Sequence, residues 1–168
     1  MTAAGLLAAG TWQADLAHST AFLRVASFGR IVVGTVPIIE GTVEIGPDGR
    51  LLAVRGTLQL AAVDTGNPKR DRDLRKPRLL DLDAHPTMTF TSTTIESLDV
   101  GWSVTGTLTA RGVSVPLTGT AQASSVDGSA AALTATARLD RRTLGVRAPG
   151  FMIGKFVEIA VSGTLHRK

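Results

Sequence analysis

Residues 104–121 read Val-Thr-Gly-Thr-Leu-Thr-Ala-Arg-Gly-Val-Ser-Val-Pro-Leu-Thr-Gly-Thr-Ala. Val104, Gly106, Leu108 and Ala110 alternate with Thr105, Thr107 and Thr109; past Arg111-Gly112 the rhythm resumes through Val113, Val115, Leu117, Gly119 and Ala121. Successive side chains of a strand point to opposite faces, so this period of two describes two strands, each with one apolar and one polar face. Arg111-Gly112 is short enough for a two-residue hairpin turn, which demands a positive φ at its first position.

The same pattern extends in both directions. Ile39, Gly41, Val43 and Ile45 share one face, as do Leu52, Val54, Gly56, Leu58, Leu60 and Ala62. Leu133, Ala135, Ala137 and Leu139 repeat it, and so do Val157, Ile159, Val161, Gly163 and Leu165. Pro47-Asp48-Gly49, Asp127-Gly128 and Pro149-Gly150 punctuate the runs. With an earlier pair at 11–17 and 20–27 the count is about eight strands. That predicts an all-β fold, an antiparallel sandwich or closed barrel. Residues 67–86 break the pattern: Asn67-Pro68 opens a short helix over Lys69–Lys76, and the segment 67–85 crosses one end of the sheet. The expected organisation is a single domain over 11–168 behind a flexible segment, 1–10.

Composition narrows the chemistry. The chain has 168 residues, 43% hydrophobic and 19% charged, enough for one sizeable core. It has no cysteine, which excludes disulfides, thiolate nucleophiles and cysteine metal sites. Its three histidines, His18, His85 and His166, form no spaced pair, so no metal site is expected. No apolar run reaches the roughly 20 residues that span a bilayer. Met1 to Gly10 is apolar without a basic start and reads poorly as a secretory signal, so the expected compartment is the cytoplasm.

The inward faces are thin. They carry Gly41, Gly56, Ala62, Gly106, Ala110, Gly119, Ala121, Ala135, Ala137 and Gly163. An eight-stranded barrel is just wide enough to be filled by side chains or to hold one small ligand, and small residues tilt that choice toward a cavity. The competing reading is that the glycines bend strands and admit close packing. An apolar cavity gains roughly 0.8 kcal/mol for each methylene it takes from water, so a chain of a few tens of carbons binds without an elaborate polar site.

Lys69, Arg70, Arg72, Arg75, Lys76 and Arg78 crowd the crossover, with Asp71 and Asp73 among them. No aromatics interleave to stack bases, which argues against specific nucleic-acid binding. Two readings remain: a cationic rim near the barrel mouth attracting an anionic lipid headgroup or membrane surface, or a solvated helix with its own Arg–Asp pairs, from which Arg70 and Asp71 are set apart if they brace the crossover against the barrel. The motifs do not support catalysis. Neighbours on a strand point apart, so His18 does not activate Ser19, and neither a G-x-S-x-G elbow nor H-E-x-x-H occurs.

Several ordered motifs resemble the YceI-like family. They are Trp12-Gln13-Ala14-Asp15-Leu16-Ala17-His18-Ser19; Val63-Asp64-Thr65-Gly66-Asn67 with Arg70-Asp71, Leu74-Arg75, Leu79-Leu80-Asp81 and His85-Pro86; Thr89-Phe90-Thr91-Ser92; Gly106 through Val113; and Arg141 or Arg142 with Leu144-Gly145. The resemblance implies an extended lipocalin-like antiparallel barrel closed by a helical segment, with an elongated pocket for a polyisoprenoid or isoprenoid quinone and no catalytic residues. It also marks departures. Ser27 and Asp73 stand where the family commonly has histidine, and Leu79-Leu80 where it has an aromatic pair.

The resulting expectation is a noncatalytic protein that binds, transports or sequesters a long apolar amphiphile and needs no other cofactor. The alternative is an enzyme acting on a hydrophobic metabolite in the same pocket, with His18 or the charged crossover at its mouth. Parity and the family register point Ala21, Leu23, Val25, Leu58, Leu60, Phe90, Leu108, Leu117, Ala135 and Ile159 toward the ligand. The expected partners are the lipid and an anionic membrane surface, and a homodimer is allowed.

Overall fold

The computed structural model describes residues 7–150 and 152–168. Its strands are β1 Gly10–Ala14, β2 Thr20–Ser27, β3 Arg30–Ile45, β4 Leu51–Leu58, β5 Met88–Ser97, β6 Trp102–Ala110, β7 Val113–Asp127, β8 Ala130–Asp140 and β9 Phe156–Arg167. They form one antiparallel sheet in the order β1-β3-β2-β9-β8-β7-β6-β5-β4, and the further pairings β3–β4 and β1–β9 close it into a barrel. β1 and β2 occupy one place in the wall, since each pairs with β3 on one side and β9 on the other. The barrel therefore has eight positions, and closure leaves no open sheet edge along its body.

The interruption between β1 and β2 has a local cause. Asp15 Oδ1 accepts a hydrogen bond from the Ala17 amide at 3.1 Å, and Leu16–His18 turns as a 3-10 helix. Short Asp side chains compete with strand ladders in this way, so the strand expected over 11–17 stops at Ala14. The Arg111-Gly112 turn has the predicted backbone, with φ of 55° and 72°.

Two bulges correct the inward faces. The β3–β4 register slips between Ile38 and Glu40 and again between Glu44 and Ile45. A bulge reverses side-chain parity beyond it. Ile39 and Leu52, expected inside, are 45% and 59% exposed, and Ile38 and Leu51 are buried in their place. The β4 ladder ends at Leu58, so Leu60 and Ala62 belong to a 3-10 turn, Leu60–Ala62, and not to a strand.

The crossover runs from β4 to β5 and is longer than the expected 67–85. Its helix, α1 Pro68–Leu74, is capped by Asn67, whose Oδ1 accepts from the Arg70 amide at 3.1 Å. Packing divides into two clusters. One, at the crossover end, gathers Leu60, Val63, Leu79, Leu82, Leu144 and Val146 around Ile38 and Leu139. The other, at the far end with the β3–β4 and β7–β8 turns, gathers Leu7, Trp12, Ile45, Leu51, Ala131 and Leu165. Of the lead segment 1–10, residues 1–6 lie outside the described residues. Leu7 is docked into the far cluster at 5% exposure, and Gly10 already belongs to β1.

Candidate functional site

Between the two clusters lies a cavity of about 190 Å³. That is many times the room one water needs, and somewhat more than the roughly 150 Å³ that accommodates a benzene ring in an apolar protein interior. Its wall is mainly apolar, with Ile38, Val54, Met88, Phe90, Trp102 and Val104 among the large side chains and Ala121, Ala123, Ala135 and Ala137 among the small ones.

The glycines on the inward faces prove to be of two kinds. A β-carbon on Gly106 would collide with the Thr91 carbonyl oxygen and come within 2.6 Å of Phe90. One on Gly119 would meet the Thr136 carbonyl and the Ala137 methyl, one on Gly163 the Ser19 side chain, and one on Gly41 the Ala14 methyl at 2.9 Å. These four permit close approach, as the structural reading requires. Gly56 differs: its nearest neighbour is the Glu40 carbonyl oxygen at 3.4 Å, and it borders the cavity. The empty space thus owes more to the alanines of β7 and β8 and to Gly56 than to the glycines as a group.

Of the residues expected to face a ligand, Leu58, Phe90, Leu108, Leu117, Ala135 and Ile159 border the cavity. Ala21 and Leu60 are buried in the crossover-end cluster and Leu23 packs against it, while Val25 lies further along the β2–β3 hairpin; none of these four borders the cavity. The reason is the same for all: Leu60, Leu82 and Leu144 fill that end, so the space stops short of them. Sequence reading missed Leu7, Leu51 and Trp102, which border the cavity at the far end. Leu51 was hidden by the bulge, and Leu7 carries no strand periodicity to reveal it.

The charged crossover is not at the cavity's edge. Among the described residues, none of the lining comes from 59–87 or from 138–155. The family-like charged residues close this end. Asp71 accepts from the Thr65 hydroxyl at 2.6 Å and from its amide at 3.1 Å; Arg70 donates to the same threonine's Oγ1 and carbonyl, both at 2.8 Å. Arg75 donates to the Ala61 carbonyl and to Asp83. Arg111 reaches the carbonyls of Leu79, Leu144 and Pro77. Arg141, 5% exposed, donates to the carbonyls of Gly154, Val146, Ala148 and Ile153 at 2.8–3.0 Å. A buried guanidinium is tolerable only when its fork of donors is filled this way.

The polar residues near the strand break divide between the outer surface and the cavity. The His18 side chain is 72% exposed, and its Nδ1 lies 2.9 Å from Asp15 Oδ2, which also meets His166 Nε2 at 3.0 Å. Hydrogen bonds from these two imidazoles hold the Asp15 carboxyl below its usual range. Ser19 faces the other way, borders the cavity and bonds the Thr164 carbonyl at 3.5 Å.

A closed antiparallel barrel around an apolar interior, shut at one end by a helical crossover, defines a lipocalin-like ligand-binding barrel. The chain belongs to the YceI-like family, whose domain model matches residues 12–165. A UPF0312 protein of Pectobacterium carotovorum is 38% identical over 64 residues, 38% of this chain and 33% of that protein. One from Pseudomonas aeruginosa is 37% identical over 65 residues, 39% of this chain and 34% of that protein. The matched stretch thus spans about a third of the length of these relatives. Among solved structures, Burkholderia cenocepacia BcnA matches with a TM-score of 0.79 at 18% identity, covering 90% of this chain and 98% of that one. A polyisoprenoid-binding domain from Saccharophagus degradans, implicated in plant cell wall breakdown, matches at 0.71 and 13% identity, covering 94% and 98%. At these identities the likeness shows a shared fold.

Proposed function

We propose that this barrel binds and carries or sequesters an apolar amphiphile of the isoprenoid class, a polyprenyl lipid or isoprenoid quinone, without transforming it. The observation that carries the reading is the apolar cavity, left open by Gly56 and the alanines of β7 and β8. Membership of the YceI-like family supports it, as does the polyisoprenoid-binding neighbour. An enzyme would need polar groups converging on a reacting atom; Ser19 and the Glu40–Arg55 pair are among the lining residues, whereas His18 and the crossover carboxylates and guanidiniums stand away from it. A cavity of about 190 Å³ takes a ring or the first isoprene units, and a longer tail needs more room than that.

An anionic membrane surface remains the partner that charge supports. Arg24, Arg30, Arg111, Arg138, Arg147 and Lys155 join the basic crossover at one end of the molecule and outnumber the carboxylates there, among them Asp71, Asp73, Asp81, Asp83 and Asp140, whereas Glu44, Asp48, Glu96, Asp99 and Asp127 lie toward the other end with Arg50, Arg167 and Lys168. Such a surface would meet the packed end and orient the barrel.

The test uses the chain's own fluorophore. Trp102 borders the cavity, and Trp12 is the only other tryptophan. Titrating delipidated protein with a prenylated quinone should quench tryptophan emission saturably, and Trp102→Phe should remove most of the quenching. Quenching that is linear and identical in both proteins would show collision alone and reject the reading.

A further inference from the structure

A long ligand has to enter the cavity along the barrel, and the two ends of the barrel offer unequal routes. At the crossover end, Leu60, Leu79, Leu82 and Leu144 lie between the cavity and solvent, under a segment tied down by Arg75, Arg111 and Arg141. At the far end the cavity is bordered by Leu51, Trp102, Leu133, Leu165 and one residue from outside the wall, Leu7. Strand pairing begins only at Gly10↔Ile45. Two side chains hold the preceding residues: Trp12 Nε1 donates to the Ala8 carbonyl at 2.9 Å, and Arg167 donates to the Ala9 carbonyl at 3.0 and 2.7 Å. Residues 7–10 also precede the 12–165 stretch that matches the family model.

We infer that ligand enters and leaves by the end away from the crossover, and that residues 7–9 are a removable stopper whose Leu7 side chain occupies the cavity mouth. The inference rests on the cavity being a ligand site and adds the route to it. One buried side chain, a part-buried hydrogen bond from Trp12 and exposed ones from Arg167 oppose the freedom regained when three residues undock, so the stopper comes out without unfolding a strand. At the other end a comparable opening has to break the buried Arg141 fork and part a packed cluster. Withdrawing Leu7 also widens the far end of the cavity, which gives a chain longer than the cavity somewhere to extend.

The experiment is stopped-flow uptake of N-phenyl-1-naphthylamine, a neutral apolar fluorophore, by delipidated protein. Leu7→Ser shrinks the stopper, Arg167→Ala removes one tether outside the cavity, and Leu79→Ala loosens the crossover end. Leu7→Ser and Arg167→Ala should each speed uptake at least fivefold, with Leu79→Ala near the parent rate. Acceleration by Leu79→Ala alone, or parent rates in both far-end variants, would overturn the stopper while leaving the binding reading in place. If neither the parent nor any variant takes up the probe, the cavity is not a ligand site and both proposals fall.

Discussion

At the crossover end, Arg111 and Arg141 spend their donors on backbone carbonyls of three separate segments, above a leucine-rich plug. At the far end, one leucine sits in the mouth, with two side chains holding its segment by the carbonyls of Ala8 and Ala9. Burying Leu7 contributes about 1.5–3 kcal/mol, and each tether roughly 0.5–1.5 kcal/mol. Ordering the three residues 7–9 costs roughly 1–2 kcal/mol apiece. The sum lies within a few kcal/mol of zero. The same barrel is thus more heavily tied at one end than at the other, and the family-like charged residues mark the heavily tied end.

The comparison breaks most visibly at Arg141. Arg141→Met removes four charge-assisted hydrogen bonds and strands buried carbonyls, so urea unfolding should report a loss of about 3–4 kcal/mol. A loss under 1 kcal/mol would mean the crossover end is not the rigid one. Within the cavity, Gly56→Leu fills open space, and probe affinity should fall tenfold or more with little change in stability. Gly106→Ala, which meets the Thr91 carbonyl, should instead destabilise the fold by about 2 kcal/mol. Equal stabilities for the two glycine variants would erase that distinction.

Smaller effects sharpen the picture. Leu→Ala in a fixed core costs about 2–5 kcal/mol. Leu7→Ala should cost less than about 1 kcal/mol by thermal unfolding, because a stopper that no longer fits simply undocks; a core-like loss would make Leu7 part of the fold. Asp140 leads into the Arg141–Leu144 turn, and hydrogen bonds to Arg142 lower its carboxyl from 3.8 to about 2. A carboxyl depressed in the folded state stabilises above its unfolded pKa and loses that contribution as pH falls toward its folded one. Acid unfolding between pH 3.8 and 2 should therefore be shallower in Asp140→Asn. An unchanged slope would remove this carboxylate from the crossover-end closure.

Much of the barrel was legible because alternation is a local code. The run 104–121 gave both strands and a turn with positive φ at Arg111 and Gly112. What was illegible was non-local or one residue long. Nothing in the composition of Ile39 or Leu52 announces a bulge, yet each reverses the parity of its strand. Small inward residues correctly suggested a cavity, but glycine type alone does not separate Gly56, which faces space, from Gly106, which faces a carbonyl. Arg70 and Asp71, expected to brace the crossover against the barrel, instead bond Thr65 within the crossover itself. The end of the barrel at which the cavity stops depends on where Leu60, Leu82 and Leu144 meet, which only the fold decides.

The most direct measurement of the central claim is native mass spectrometry of the protein purified without detergent, before and after extraction with organic solvent, and again after exposure to a mixture of prenyl lipids. The account predicts an extractable or reloadable one-to-one complex with a prenyl lipid, lost in Gly56→Leu. A protein that flies bare in every condition, or a complex that survives filling the cavity at Gly56, would contradict it.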